Sequence, residues 1–144
     1  MRLVRRISFV VAALGLASFA PPPEYVLVVN PSNPASAVSR AEAARMFLKK
    51  VAAWPDGRTV TAIDQERTSP VRQAFSRDIH HKDADGIAAY WQTAVFSGRD
   101  VPPPVGRSDD DVLAFVRANP GAIGYVSGRT AVEGVEGVKV LKVQ

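Results

Sequence analysis

The residues best suited to chemistry in this 144-residue chain lie in one short run, Asp64-Gln65-Glu66-Arg67-Thr68-Ser69-Pro70-Val71-Arg72. The apolar stretch before it reads as a strand, and Ser69-Pro70 reads as the start of a helix. Ser69 suits the cap position, and Pro70 suits the first helical position, whose amide needs no partner. The first amides of a helix are unpaired and sit at the positive end of its dipole, so a strand running into a helix forms a corner that attracts anions. Thr68 and Ser69 add hydroxyl donors. Arg67 and Arg72 add guanidinium groups, which can grip an oxyanion with two parallel hydrogen bonds. The competing reading is structural: Ser69 is only a cap, and the arginines are solvated or paired with Glu66 and Asp64.

Other reactive residue types group less usefully. His80 and His81 are adjacent, so they point in different directions on a helix, and the chain has no further histidine to complete a metal site. Asp109-Asp110-Asp111 lacks the spacing and glycine of a calcium loop and suits the first turn of a helix, where the dipole favours negative charge. Ser69 lacks a G-x-S-x-G elbow. No acid–base pair stands out, so an enzyme is not expected, and no cofactor is implied.

The elements that must position this corner can be read in order. Tyr25 to Val29 is a continuous apolar run closed by Asn30-Pro31 and reads as a buried strand of the kind found in parallel sheets. Ser39-Arg40-Ala41-Glu42 has capping-box spacing and opens a helix ending near Leu48. Pro55-Asp56-Gly57 is a turn, and Arg58 to Asp64 is a second strand. Val71, Ala74, Phe75 and Ile79 recur at helical spacing behind Ser69. A further helix capped by Asp83 or Asp85 carries Ile87, Tyr90, Trp91, Ala94 and Val95 on one face. Pro102-Pro103-Pro104 is loop, Val105 starts a short strand, and Ser108 caps a helix that stops at Asn119-Pro120-Gly121. Ala122 to Val126 and Val138 to Val143 are strands. Strands alternating with helices predict an α/β domain over residues 25–144, with a mostly parallel sheet flanked by helices.

Residues 1–20 have a basic start (Arg2, Arg5, Arg6), an apolar run from Ile7 to Leu16 and small residues after it. This is the pattern of a secretory signal, with an uncleaved anchor as the alternative. The run is short for a membrane span, so contact with a membrane is expected only through this segment before cleavage. Residues 21–24, with Pro21-Pro22-Pro23, read as a stiff tether. The full chain carries net charge +4; removal of the leader leaves 15 basic against 14 acidic residues. A domain so close to neutral lacks the electrostatic footprint of a nucleic-acid binder. The chain contains no cysteine, so the fold must rest on its hydrophobic core alone.

Three segments in fixed order carry a family resemblance: Met46-Phe47-Leu48-Lys49-Lys50 with Trp54, then the turn at Asp64 to Arg72, then Pro120-Gly121-Ala122-Ile123-Gly124-Tyr125. Together, behind an export signal, they resemble the second lobe of the phosphate-type periplasmic binding proteins, the substrate-binding components of phosphate ABC transporters. The resemblance covers roughly residues 25–128. It implies a type II periplasmic-binding-protein fold in single-lobe form, a periplasmic or secreted location, and a site for phosphate or a related oxyanion at this corner, where Ser69 alone carries over a family ligand and Arg67, Thr68 and Arg72 are the further candidates that the turn itself offers. In the family that corner has an Arg, a short gap and Ser-Gly-Thr. Here Ser69 keeps the family serine, Pro70 stands at the Gly, Val71 at the Thr, and Gln65 at or near the Arg. The family closes two lobes on its ligand, whereas one lobe leaves an anion half solvated and screened. Affinity on the order of millimolar is therefore expected, about −4 kcal/mol, unless a second copy or another protein supplies the opposite wall. The alternative is an envelope interaction module that kept the fold and lost the ligand.

Overall fold

The computed structural model describes residues 20–144; the leader expected over residues 1–20 falls almost wholly outside them. The elements in chain order are β1 (Tyr25–Val29), β2 (Ala37–Val38), α1 (Arg40–Phe47), β3 (Thr61–Ala62), β4 (Asp64–Gln65), α2 (Pro70–Phe75), α3 (Ala84–Phe96), β5 (Val105–Gly106), α4 (Asp109–Ala118), β6 (Ala122–Ser127) and β7 (Lys139–Val143). The predicted caps at Ser39 and Ser108 form: the Ser39 hydroxyl accepts from the Glu42 amide, and the Ser108 hydroxyl from the Asp111 amide. Asp83, rather than Asp85, caps α3 by accepting from the Gly86 amide at 2.7 Å.

The main sheet has the order β2-β7-β1-β6-β3, and β4 and β5 form a separate pair. The expectation of a mostly parallel sheet is corrected to a mixed one. Central β1 runs antiparallel to both neighbours, β6 and β7, while β2–β7, β3–β6 and β4–β5 are parallel. The apolar run in β1 reports burial on both faces, and burial does not depend on which way the neighbouring strands point. Single-residue alternation divides β1 between two cores. Leu27 and Val29 pack with Met46, Phe47, Phe75 and Tyr125 on one face, and Val28 packs with Val112, Val116 and Val126 on the other. Ile63 carries the chain from one sheet to the next: its amide bonds Ile123 in β6, and the Asp64 amide bonds Pro104 before β5.

The segment Pro120 to Tyr125 is held by close backbone approach. A Cβ at Gly121 would lie 1.9 Å from the Thr59 carbonyl oxygen, and one at Gly124 would lie 2.6 Å from a Val112 methyl. Trp54, buried, donates from Nε1 to the Gly121 carbonyl at 2.9 Å. These contacts fasten the Trp54 loop and α4 to the sheet, and they explain why glycine stands at both positions.

After Phe75 the chain continues as one π-helical turn, Ser76–His80, ending on His81 in the left-handed region. His80 packs edge-on against Phe75, with ring centroids 5.5 Å apart, and its Nδ1 is buried without a partner among the described residues. Burial first, then the charges of Arg72, Lys82 and His81, lower its pKa to about 4. A base whose folded pKa lies below the unfolded value near 6.5 stabilises the fold above that value and loses its contribution as pH falls toward 4. The effect amounts to about 3 kcal/mol at full extent. His80→Phe, which preserves a ring against Phe75, is expected to unfold less readily than the wild type between pH 6 and 4. Urea midpoints compared across that range check this; parallel pH dependence of the two proteins would remove His80 from the account.

Candidate functional site

The corner begins where β4 ends. Asp64 and Gln65 are buried, Glu66, Arg67 and Thr68 form an exposed turn, and Pro70 opens α2. Ser69 takes the cap position, but its hydroxyl makes no cap bond. It donates instead to the Gln65 side-chain oxygen at 3.3 Å. Ser69 is thereby turned back toward β4.

The residues expected at an anion do not converge. Arg72 is corrected from an anion ligand to an internal counter-ion. It is 6% exposed, and its Nη1 lies 2.7 Å from Asp64 Oδ1. It also donates to the Gln65 carbonyl at 2.8 Å and to the Ser76 hydroxyl at 3.2 Å. The cause is position on α2: Arg72 sits one turn into the helix, facing the end of β4, where the buried Asp64 carboxylate requires a cation. Burial pushes the Asp64 carboxyl up, while Arg72, then the Tyr125 hydroxyl and the Gln65 amide, oppose that shift. Burial first, then the Asp64 charge, raises the Tyr125 phenol. The pairing of an arginine with Asp64, weighed from the sequence as the structural reading, is therefore present for Arg72.

The turn separates two hollows. A cleft of about 610 Å³ on the α3 side is lined by Arg67, Trp91, Val95, Phe96, Pro103 and Val105, among others. There Arg67 reaches Asp85 at 3.4 Å, both largely exposed. The other hollow, of about 520 Å³, contains Gln65, Ser69, Arg107, Asp109, Ser127 and Arg129. Ser69 faces this second hollow, Arg67 lines the first, and Thr68 lines neither.

The second hollow gathers two arginines that escaped the sequence reading. Arg107 comes from the loop before α4 and Arg129 from the loop after β6. Neither forms an ion pair among the described residues. Ser108 and Ser127 supply further hydroxyl groups. Arg107 had one sequence signal, its place directly before the Ser108 cap. Arg129 had none, because only β6 pairing with β1 and β3 brings its loop to the α2 corner.

Asp109 also faces this hollow. Its Oδ1 accepts from Gln65 Nε2 at 2.9 Å, and its Oδ2 accepts from the Ser127 amide at 3.1 Å and from the Thr130 hydroxyl at 2.5 Å. Gln65 Nε2 donates as well to the Tyr125 carbonyl at 2.9 Å. The hollow thus sets two arginines, Arg107 and Arg129, and several hydroxyl and amide groups against two carboxylates, Asp109 and Glu24. The Ser69 hydroxyl contacts the Gln65 amide oxygen.

No family model matches the sequence, and no curated protein matches it. Solved structures do match. An ABC-type phosphate transport receptor from Vibrio cholerae superposes with a TM-score of 0.61 at 18% identity, covering 83% of this chain and 46% of that one. A putative phosphate ABC transporter substrate-binding protein with bound phosphate from Clostridium perfringens gives 0.62 at 18%, covering 85% and 47%. A possible phosphate binding protein from Planctomyces limnophilus DSM 3776 gives 0.62 at 18%, covering 84% and 41%. The chain thus spans less than half the length of each of these structures. No helix among the described residues is long and apolar enough to cross a membrane. At this identity the likeness is one of architecture: the chain has the fold of the phosphate ABC transporter substrate-binding proteins, a mixed sheet flanked by helices, over slightly less than half of their length.

Proposed function

We propose that the protein is an exported, non-enzymatic binding domain that holds phosphate or a related oxyanion at the corner between β4 and α2. The observation that carries this reading is the pair Arg107 and Arg129, free of ion pairs among the described residues and lining one hollow with Ser69 and Ser127. Ser69 of the sequence-derived set belongs to the site. Arg67 and Thr68, on the exposed turn, contribute from outside it, and Arg72 acts only by holding Asp64 in place. The fold likeness supports a place in phosphate transport on the periplasmic or outer face of the cell, by analogy of architecture. A second copy or a protein partner would supply the wall opposite the hollow.

Calorimetric titration of phosphate into the purified protein at low salt tests the proposal. Saturable binding on the order of millimolar is expected, weakening as salt rises. Arg129→Ala and Arg107→Ala are each expected to weaken it about tenfold, the scale of a lost charged hydrogen bond. Arg67→Ala is expected to weaken it about twofold, the scale of an exposed charge pair. Absence of heat at several millimolar phosphate would overturn the reading.

One observation favours a second reading, an interaction module of the envelope. The α3 cleft has apolar walls, and beside it Phe96 is 85% exposed, with Val101 and Val105 more than half exposed. That reading expects a protein partner whose binding is lost in Phe96→Asp and survives Ser69→Ala.

A further inference from the structure

We propose that Asp109 is a resident anion of the α2 corner, which occupies the donors an external oxyanion would use and so sets how weakly that oxyanion is held. The inference rests on the oxyanion-binding reading and names what regulates that site. Three kinds of donor meet on this one carboxylate: a side-chain amide from Gln65, a backbone amide from Ser127 and a hydroxyl from Thr130, at 2.5–3.1 Å. A bound oxyanion would draw on these same donor types. Ser69 is tied into the same chain of bonds, because its hydroxyl donates to Gln65, which donates to Asp109. Gln65 cannot turn toward an incoming anion without giving up the carboxylate.

Charge reinforces the competition. Asp109 is half-buried and lines the hollow, whereas its neighbours Asp110 and Asp111 are exposed and do not line it. Asp111 is engaged by the Arg107 amide at 2.9 Å. An oxyanion entering this hollow therefore meets the guanidinium groups of Arg107 and Arg129 and the carboxylates of Asp109 and Glu24, of which Asp109 is the one bonded to Gln65. Two anions sharing a partly desolvated site repel each other, and part of the arginine attraction is spent against Asp109. A neutral amide at position 109 keeps one acceptor oxygen, frees the donors that the other oxygen held, and removes the opposing charge.

The test is to titrate phosphate and, separately, sulfate into the wild type, Asp109→Asn and Thr130→Val, with melting temperatures recorded for each. Asp109→Asn is expected to bind both anions at least tenfold more tightly. Thr130→Val removes one donor but leaves the charge, and is expected to change affinity by less than twofold. If Asp109→Asn does not fold, Asp109→Ser carries the same neutral change and the same expected gain. A folded Asp109→Asn with wild-type or weaker affinity would overturn the inference while leaving the binding reading intact. Binding by the variant alone would overturn the reading of the wild type as an oxyanion binder and uphold the inference about Asp109, the wild-type corner then being closed by its own carboxylate. Binding by neither would overturn both.

Discussion

Arg72→Met is expected to lower stability by about 3–5 kcal/mol, the usual result of leaving a buried charge without its partner. The guanidinium makes three contacts on the interior side of α2, to Asp64, the Gln65 carbonyl and Ser76. Its loss leaves the Asp64 carboxylate buried with only the Gln65 amide and the Tyr125 hydroxyl as donors. Proton uptake is then the cheaper state, so the folded pKa of Asp64 rises further above its unfolded value. For a carboxyl so shifted, stability falls as pH rises past the unfolded pKa of about 3.9. The penalty should therefore be largest near neutrality and shrink toward pH 4. Denaturant titrations at pH 7 and pH 4.5 check both size and sign. Adding Asp64→Asn, which keeps an acceptor for Gln65 and Tyr125 but no charge, is expected to recover most of the loss at pH 7. A penalty that is independent of pH and unrelieved by Asp64→Asn would mean that Arg72 acts through packing alone.

Phe75→Ala is expected to cost a comparable 3–5 kcal/mol, roughly the range for truncating a buried phenylalanine. Phe75 is fully buried and is the hub of the aromatic cluster. It stacks on Tyr125 at 3.8 Å between centroids, meets Phe47 edge-on at 4.7 Å, and contacts Tyr25 and His80 at 5.5 Å each. Removing the ring opens a cavity between α1, α2 and β6 and releases Tyr125, whose hydroxyl bonds Asp64. Its effect should therefore couple to that of Arg72→Met, and the double variant should depart from additivity by more than about 0.5 kcal/mol. Phe75→Leu keeps most of the volume and forfeits chiefly the aromatic pairing, worth about 0.5–1.5 kcal/mol. A total stability of roughly 5–15 kcal/mol is typical of a domain, so either large substitution could leave a substantial unfolded fraction at growth temperature. Urea midpoints with matched slopes decide the magnitudes; a Phe75→Leu loss as large as that of Phe75→Ala would show that the stack, not the volume, is what the core needs.

The structure also shows why some elements were readable and others were not. β1 spans Tyr25–Val29 as read, and the caps at Ser39, Asp83 and Ser108 form with bonds to amides three residues ahead. Each depends on neighbours in sequence. The second strand was read as Arg58 to Asp64, but only Thr61–Ala62 and Asp64–Gln65 pair, because Ile63 is where the chain leaves one partner strand for another. β2, two residues long, was not read, since its pairing with β7 joins residues about a hundred positions apart.

The same division holds at the site. The strand-to-helix corner at Ser69-Pro70 was legible because a proline at the first helical position and a small polar residue before it are local signals. The direction in which each side chain leaves the turn was not. Thr68 stays in solvent, Arg67 lies toward α3, Ser69 toward α4, and Arg72 is drawn inward by Asp64. The order of residues alone carried an α/β domain, most of its helix starts and the strand-to-helix corner at Ser69-Pro70. Only the tertiary structure decided the antiparallel setting of β1, the burial of Arg72, and the arrival of Arg107, Asp109 and Arg129 at that corner. Burial pattern and capping are written in neighbouring residues, whereas strand direction and the meeting of distant loops follow from how the whole sheet closes over its core.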